Sequence, residues 1–166
     1  MTKIHRLALA ILVLFFCTGF DQMTKGVARE RLASAPPISL LNDTIRIQYV
    51  ENPGATLGLG SNLPKELRFM LFVLLNGLIT FTTLLYALKT HDLRLTQFIG
   101  LFLIASGGLG NLLDRLFNDG AAIDFMNIGI GAIRPGVFNV ADVLIIAGAT
   151  VFMLSSFRDQ RKVIAV

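Results

Sequence analysis

The chain has 166 residues, of which 54% are hydrophobic and 16% are charged, whereas roughly 25% of residues are charged in an average soluble domain. A mean hydropathy of +0.67 excludes a disordered or collagen-like chain, and the small, scattered net charge of +4 does not indicate a nucleic-acid partner. One cysteine excludes an internal disulfide framework, and one cysteine with two histidines leaves little for a metal site, so we expect neither a metal nor a cofactor. The length and the hydropathy favour one membrane-embedded domain over 1–166.

Four stretches that are almost free of charge predict four membrane-spanning helices. Three carry no charge and have 14, 20 and 19 residues, and the fourth has 23 residues with a single acid; they run Leu7 to Phe20, Phe69 to Leu88, Leu95 to Leu113 and Pro135 to Phe157. A helix needs roughly 20 residues to cross the hydrocarbon layer. We therefore predict an all-α polytopic membrane protein with spans at about 4–27, 68–88, 95–114 and 137–157.

The first stretch is too short to cross the membrane by itself. Its helix extends back to Lys3 and Arg6, whose long side chains reach the interface, or it carries Asp21 and Lys25 into the membrane boundary. A soluble four-helix bundle would need a polar stripe on each helix, and the second and third stretches offer none. A cleaved signal peptide would need a small-residue cleavage site after the first stretch, and the sequence has none there.

The distribution of basic residues predicts which side of the membrane each segment faces. The amino end, the loop at 89–94 and the carboxyl tail contain two acids and seven basic residues, which are Lys3, Arg6, Lys89, Arg94, Arg158, Arg161 and Lys162. Four spans place these three segments on one side, which the positive-inside rule makes cytoplasmic. We therefore expect both termini in the cytoplasm, a long exterior segment that includes about 36–64, and a short second exterior loop at about 115–136.

The long exterior segment carries the pattern of a β-strand. Residues Ile45–Val50 alternate apolar and polar side chains and end at the turn signal Asn52-Pro53-Gly54. We predict a small sheet or hairpin within about 36–64 that rests on the membrane surface or on the helix ends, because a lone hairpin is marginally stable. Gly58 and Gly60 either let another extended backbone approach, as a peptide substrate would, or form a flexible loop.

Two aspartates lie at the predicted membrane boundary. Asp114 closes the third span, and Asp142 lies a few residues inside the fourth. Because these spans form an antiparallel pair joined outside, both carboxylates arrive at a similar depth near the exterior face. A carboxylate at this depth is costly to keep charged and marks a functional site. Two adjacent carboxyl groups share one proton, which divides the roles of acid and base between them.

An asparagine precedes each of these aspartates by three residues. Asn111 and Asn139 lie on the helical faces of Asp114 and Asp142, where an amide orients the carboxylate or a bound peptide. For Asn139 the alternative is a helix N-cap, with Asp142 in the first turn. That alternative does not explain Asn111, which lies near the carboxyl end of its helix. Nearby glycines either allow close helix approach or are ordinary packing residues; they are Gly107, Gly108 and Gly110.

The remaining charges near the boundary have open alternatives. Asp21 and Lys25, four residues apart on one helix, form a surface pair or, given their depth, part of the site. Arg115 pairs with a carboxylate or a phospholipid head group, or is a solvated boundary charge. Asp124 is a turn acid or a structural partner of Arg115.

These motifs together resemble one family, the lipoprotein signal peptidases, also called signal peptidase II, which are aspartyl enzymes of bacterial cytoplasmic membranes. The resemblance spans almost the whole chain in the family's order and near its spacing; its motifs are Asp21-Gln-Met-Thr-Lys25, Asn52-Pro-Gly-Ala55, Gly107-Gly-Leu-Gly-Asn-Leu-Leu-Asp-Arg115, Asp124-Phe125 and Phe138-Asn-Val-Ala-Asp142. It implies four transmembrane helices, a small periplasmic sheet, and two catalytic aspartates that fall on Asp114 and Asp142. The family's other polar site positions fall on Asp21, Lys25, Asn52, Gly54, Asn111, Arg115, Asp124 and Asn139.

The resemblance also implies a substrate and a location. Such enzymes cut prolipoproteins just before a diacylglyceryl-modified cysteine, so we expect a monomeric inner-membrane endopeptidase that contacts membrane lipids and has its active site near the periplasmic face. The sequence departs from the family after Ala55, where Thr56, Leu57 and Gly58 replace the usual phenylalanine and serine, and this departure bears on substrate fit.

The expected reaction is direct hydrolysis without a metal or a covalent intermediate. One ionised aspartate takes a proton from water, and the protonated aspartate donates to the oxyanion and later to the leaving amine. Two other classes of protein stay open as alternatives. An idle paralogue would only bind lipidated peptides, and a small proton-coupled transporter would need ionisable groups at several depths, which the charge-free second span lacks.

Overall fold

The computed structural model of the chain describes residues 2–54, 60 and 62–164. Its elements in chain order are α1 (Lys3–Leu32), β1 (Ile38–Leu40), β2 (Ile45–Asn52), α2 (Lys65–Lys89), α3 (Leu95–Phe117), β3 (Ala122–Ile128) and α4 (Val140–Ile164). Within these residues, four helices are long and apolar enough to cross a membrane. The predicted fold class, four apolar helices with a small sheet, is confirmed.

Helix α3 lies at the centre of the bundle and packs against each of the other three helices. In its most apolar 18-residue stretch 56% of the residues are buried, compared with 11–17% in the outer helices. The outer helices expose large apolar side chains such as Phe15, Phe81 and Met153, as lipid-facing helices do. Small residues bring α3 and α4 close together, because a Cβ atom on Gly100 would lie 2.8 Å from the carbonyl oxygen of Gly148.

The main apolar core lies at the end of the bundle where α1 begins and a short turn joins α2 to α3. Phe98 and Phe102 stack with ring centroids 4.6 Å apart and pack with Ala10, Ala87 and Leu101. Arg6 fastens α1 to this turn by donating to the backbone carbonyls of His91 and Thr90, at 2.8 and 3.0 Å. The charged side chains that are buried in the described part of the chain lie at the opposite end.

We call that opposite end the sheet end; there α1 and α3 finish, α2 and α4 begin, and an antiparallel sheet packs in the order β1-β2-β3. Strand β1 pairs with β2 in the register Ile38↔Ile47, and β2 pairs with β3 from Ile45↔Ile128 to Asn52↔Ala122. The ladder between β2 and β3 is irregular between Ile47 and Val50. The sheet thus covers the ends of α1 and α3.

The third strand comes from the segment at about 115–136 that the sequence predicts as a short loop. Most β3 side chains are buried, including the polar Asp124 and Asn127, so the alternation of a half-exposed strand is missing from the sequence. This strand brings Asp124 over the ends of the helices.

An ion-pair cluster fastens the connection between β3 and α4 to the turn between β1 and β2. Asp43 accepts from Arg46 Nε at 2.7 Å, from Ser39 Oγ at 2.8 Å and from Arg134 Nη2 at 3.0 Å. The pKa of the Asp43 carboxyl lies well below its ordinary range, because the Arg46 guanidinium foremost, and then Ser39 and Arg134, stabilise the ionised form. The cluster fixes the chain just before residues 135–138, which line a cavity of the site.

Candidate active site

All ten residues that the sequence places in the site belong to one hydrogen-bonded network at the sheet end. They come from α1, α3, the segment around β2, β3 and the start of α4; they are Asp21, Lys25, Asn52, Gly54, Asn111, Asp114, Arg115, Asp124, Asn139 and Asp142. All of them are buried or half-buried. Buried polar groups that satisfy one another form a rigid arrangement, which a reaction site needs.

Lys25 is the cation at the centre of this network. Its Nζ lies 2.9 Å from Asp21 Oδ2 and 2.7 Å from Asp114 Oδ2, and it donates to Asn111 Oδ1 at 3.0 Å. The three donors of the ammonium group therefore have three partners, and the side chain is only 1% exposed. Asp21 and Lys25 are thus an interior pair rather than a surface pair.

Asp21 connects α1 to the start of α4. Its Oδ1 accepts the backbone N–H of Ala141 at 2.8 Å, a group that has no partner within its own helix. Glycines of α3 leave the space for this contact. A Cβ atom on Gly110 would lie 2.3 Å from Asp21 Oδ2, and one on Gly107 would lie 2.3 Å from the carbonyl oxygen of Ala141. These two glycines therefore allow the close helix approach.

Asp114 is held through both of its carboxylate oxygens. Besides its contact with Lys25, Oδ2 accepts the backbone N–H of Ile123 at 3.0 Å, and Oδ1 accepts from Gln22 Nε2 at 2.9 Å. Gln22 also donates to the carbonyl of Gly110 at 3.1 Å, so it joins α1 to α3. Gln22 is not among the residues that the sequence predicts for the site, because consecutive helical residues point about 100° apart and only its place beside Asp21 hints at this role.

Asp142 is held by two asparagines. Its Oδ1 accepts from Asn111 Nδ2 at 2.9 Å, and its Oδ2 accepts the backbone N–H of Asn139 at 3.1 Å. Asn139 Oδ1 in turn accepts the backbone N–H of Asp142 at 3.0 Å, the reciprocal pattern of a capping box. Asn139 is therefore the N-cap of α4, and its Nδ2 also lies 3.0 Å from Asn111 Oδ1. The capping role and the network role coexist.

Asp124 reaches the same network from β3. Its Oδ1 accepts from Asn139 Nδ2 at 2.6 Å, and its Oδ2 accepts from Asn52 Nδ2 at 2.8 Å. Burial foremost, with the nearby charge of Asp142, raises the pKa of Asp124 to about 6, although the hydrogen bonds from Asn52 and Asn139 act in the opposite direction. Asp124 is thus a strand residue bonded to two asparagines, and it holds a proton more readily than an ordinary aspartate.

Arg115 fixes the backbone after β2 to α3. Its Nη2 donates to the carbonyl of Gly54 at 3.0 Å, its Nη1 donates to the carbonyl of Asn111 at 3.1 Å, and its guanidinium lies 5.9 Å from the ring centroid of Phe72. Its Nε is buried, and none of the described residues accepts a hydrogen bond from it. Arg115 is therefore a buried clamp with one donor to spare rather than a solvated charge.

Two cavities meet at Asp142. One, the sheet cavity, has a volume of about 330 Å³ and is lined by Asn52, Asp124 and Asp142 together with apolar side chains such as Phe138 and Ile146. The other, the α2 cavity, has a volume of about 370 Å³ and lies between α2, α3 and α4, with Asp142, Asn111 and Arg115 at one part of its wall. Asp114 lines a separate, smaller cavity of about 130 Å³ with Lys25 and Gln22.

The two aspartates that the sequence pairs are therefore linked through Asn111 and Lys25 rather than by a hydrogen bond of their own. Asp114 and Asp142 share no hydrogen bond in the described part of the chain, and Asn111 lies between them, bonded to Lys25 on one side and to Asp142 on the other. Asp124 and Asp142 face one cavity instead.

Part of the predicted site lies outside the described residues. Ala55, Thr56, Leu57 and Gly58 are among these, so the departure from the family pattern and the predicted approach of a peptide backbone at Gly58 stay predictions. Over residues 2–54, 60 and 62–164, no three side chains of His, Cys, Asp or Glu are grouped so that they would hold a metal ion.

The fold and the site define a polytopic membrane protein with a buried centre of carboxylates and amides at one end of its helix bundle. The chain matches the family model described as Signal peptidase (SPase) II over residues 12–158 and belongs to that family. The family resemblance read from the sequence is confirmed. Membership makes the chain a protease and, with its four apolar helices, a multi-pass bacterial membrane protein.

Individual relatives agree with this assignment. The chain is 35% identical to the lipoprotein signal peptidase of Clostridioides difficile (strain 630) over 145 residues, which cover 87% of this chain and 91% of that protein. It is 32% identical to the lipoprotein signal peptidase of Borrelia duttonii (strain Ly), with 90% of each chain covered. A bacterial membrane enzyme solved by the in meso method at 2.3 Å resolution has the same fold, with a TM-score of 0.79, 23% identity, and 92% of this chain and 90% of that chain covered.

Proposed function

We propose that the protein removes the signal peptide from prolipoproteins by hydrolysing the peptide bond before a diacylglyceryl-modified cysteine. The observation that carries this proposal is the placement of two carboxyl groups, Asp124 and Asp142, on one cavity at the sheet end of the membrane helices. The relatives named lipoprotein signal peptidase, which align over most of the chain, support the substrate class.

We assign the reacting pair to Asp142 and Asp124, in place of the pair Asp142 and Asp114 that the sequence suggests. Both oxygens of Asp114 are engaged by Lys25, Gln22 and a backbone N–H, which suits a side chain that holds helices together. The sheet cavity gives Asp124 and Asp142 a common space for water and a peptide carbonyl.

The pKa of Asp124 suggests which carboxyl group acts as the acid and which acts as the base. Asp124 binds a proton more readily than an ordinary aspartate, because its pKa is raised to about 6, and we assign it the role of acid; Asp142 is assigned the role of base. In the reactive form Asp124 carries the proton. Asp142 takes a proton from water as the water oxygen attacks the carbonyl carbon, and Asp124 gives its proton to the developing oxyanion. The C–N bond then breaks as Asp142 passes its proton to the leaving nitrogen, and a hydroxyl proton of the intermediate returns to Asp124. Both carboxyl groups return to their starting protonation states, and one water molecule is consumed.

The other residues of the network hold this pair in place. Asn111 and Asn139 orient the two carboxyl groups through hydrogen bonds of 2.6–2.9 Å. Asn52 and Arg115 lie on the wall of the sheet cavity, where they are suited to bind substrate main chain. The alternation of basic segments along the sequence supports a periplasmic location for the sheet end and cytoplasmic termini.

Product analysis tests the proposal. The purified full-length enzyme is incubated in detergent with a synthetic diacylated prolipoprotein, and the products are identified by mass spectrometry. We expect a signal peptide with a free carboxylate and a lipidated chain that begins with cysteine, whereas the same peptide without the lipid stays intact. An idle paralogue would retain the lipidated peptide without product, and a transporter would neither bind nor cut it; either result contradicts the proposal.

A further inference from the structure

A single pair of polar residues on α2 interrupts the apolar wall of the α2 cavity. Around Asn76 and Thr80 this wall is formed by aliphatic side chains of three helices. They are Leu75 and Ile79 of α2, Ile104 of α3 and Ile145 of α4. Polar side chains within a membrane-spanning helix are costly unless they are paired or bind a ligand.

The hydrogen bonds of this pair leave a donor unused. Thr80 Oγ1 donates to Asn76 Oδ1 at 3.1 Å. The described residues provide no acceptor for the amide nitrogen of Asn76, although an amide carries two N–H donors. Gly108 on α3 makes room for the pair, because a Cβ atom there would lie 2.3 Å from Thr80 Oγ1. The amide therefore faces an apolar cavity with free donors.

The chemistry of the cavity selects the kind of group that these donors would bind. A peptide backbone brings an N–H donor for each carbonyl and would need acceptors, but the wall around this pair is aliphatic and offers only the remaining lone pairs of Asn76 Oδ1 and Thr80 Oγ1. An ester carbonyl is an acceptor without a donor, and its acyl chain would lie against the aliphatic wall. The cavity thus suits a lipid ester rather than a peptide.

The position of Asn76 relative to Asp142 fits the substrate in the proposed function. Asn76 lies beside Gly108, which is three residues, or about 4.5 Å of helix rise, from Asn111, and Asn111 binds Asp142. In a diacylglyceryl cysteine the ester carbonyls are attached a few bonds from the cysteine sulfur. We propose that Asn76 donates a hydrogen bond to an ester carbonyl of the diacylglyceryl group while the scissile bond lies at Asp142; this rests on the proposed function.

A comparison of two synthetic substrates tests the inference. The prolipoprotein carries either ester-linked or ether-linked chains, and purified full-length enzyme is assayed in a detergent that contains no esters. One neutral hydrogen bond corresponds to about a threefold to tenfold preference in kcat/KM, so wild type should favour the ester by that factor, mainly through KM. Asn76→Leu should lower cleavage of the ester to that of the ether and leave the ether unchanged. Thr82→Val, on the same helix outside the cavity, should keep the preference.

The ratio of the two substrates is measured on one preparation, so it does not depend on how much of a variant is folded. An equal loss on both substrates in Asn76→Leu would overturn the inference, since it would mean a structural role or a contact with a bulk lipid. A preserved ester preference in that variant, or no preference in wild type, would overturn it as well. Failure of wild type to cut either substrate would instead contradict the proposed function itself.

Discussion

Lys25 Nζ lies 2.7 Å from Asp114 Oδ2, in an ion pair whose two side chains are at most 2% exposed. The same ammonium group contacts Asp21 and Asn111, so one side chain of α1 pairs with two carboxyl groups and reaches the amide that holds Asp142. The arrangement ties α1 to α3 beside the carboxyl groups of the proposed reacting pair, so we propose that Lys25 is a positioning residue.

Replacement of Lys25 by methionine should destabilise the fold strongly. The Lys25→Met variant leaves Asp21 and Asp114 buried without a counter-charge, and removal of one partner from a buried pair costs about 3–5 kcal/mol. Thermal unfolding in detergent measures the effect. Lys65→Met is the matched control, because Lys65 forms an exposed pair with Asp119 at 3.8 Å and should change stability very little. Equal losses in the two variants would show that the buried pair has no special role.

The close approach of α3 and α4 predicts a large effect of one methyl group. In Gly107→Ala the new Cβ would meet the carbonyl oxygen of Ala141 at 2.3 Å, a backbone atom that moves only if α4 shifts. We expect a loss of about 1–3 kcal/mol and a lower cleavage rate. Gly19→Ala lies on α1, where no described residue beyond the adjoining helix backbone comes within 4 Å of the new methyl group, so it should be neutral or slightly stabilising. A stable, active Gly107→Ala enzyme would contradict the packing.

The raised pKa of Asp124 predicts how stability depends on pH. The unfolded carboxyl has a pKa near 3.9 and the folded one about 6, so the folded state binds the proton more tightly. This contribution is fully present below about pH 4 and is lost as the pH rises to about 6, a fall of roughly 2–3 kcal/mol.

The unfolding temperatures of wild type and Asp124→Asn, compared from pH 4 to pH 7, measure this contribution. The stability of wild type relative to the variant should decrease across this interval and level off above it. Asp119→Asn changes a carboxyl that is 91% exposed and should show no such trend. A difference between wild type and Asp124→Asn that is independent of pH would mean that the pKa of Asp124 is ordinary.

The orientation in the membrane is open to chemical labelling. Cys17 is the only cysteine in the sequence, so Cys17→Ala provides a background for single cysteines. On intact cells a membrane-impermeant maleimide should label Lys65→Cys, at the sheet end, whereas Asp92→Cys, in the turn between α2 and α3, should react only after the membrane is opened. The reverse pattern would place the site on the cytoplasmic side.

The sequence indicated the helices well because a membrane span has a simple physical requirement. About 20 residues without charge are needed, and the stretches ending at Leu88 and Leu113 meet it directly. The spacing of Asn111 and Asp114, or of Asn139 and Asp142, likewise showed which side chains share a helical face. The family motifs gathered the ten polar residues that the structure joins in one network.

The parts that the sequence did not indicate depend on how separate elements meet. Spacing within a helix does not say that Lys25 reaches from α1 to Asp114, so the pair Asp114 and Asp142 looked adjacent when Asn111 in fact lies between them. Strand β3 was not indicated because its side chains are buried on both faces, so the sequence did not show that Asp124 lines the same cavity as Asp142. No spacing or charge pattern in the sequence pointed to the contacts of Gln22 with Gly110 and Asp114.

The most direct test of the account is the rate of cleavage of a diacylated prolipoprotein by three purified variants, each normalised to its folded fraction. Asp142→Asn and Asp124→Asn should each cut about 10²–10⁴ times more slowly than wild type, as expected when a general acid or base is removed. Asp114→Asn, which removes the ion pair with Lys25 but neither carboxyl group of the proposed reacting pair, should be at least tenfold faster than those two per folded enzyme. An Asp124→Asn enzyme within about tenfold of wild type, beside an inactive Asp114→Asn enzyme, would contradict the assignment and return Asp114 to the reacting pair.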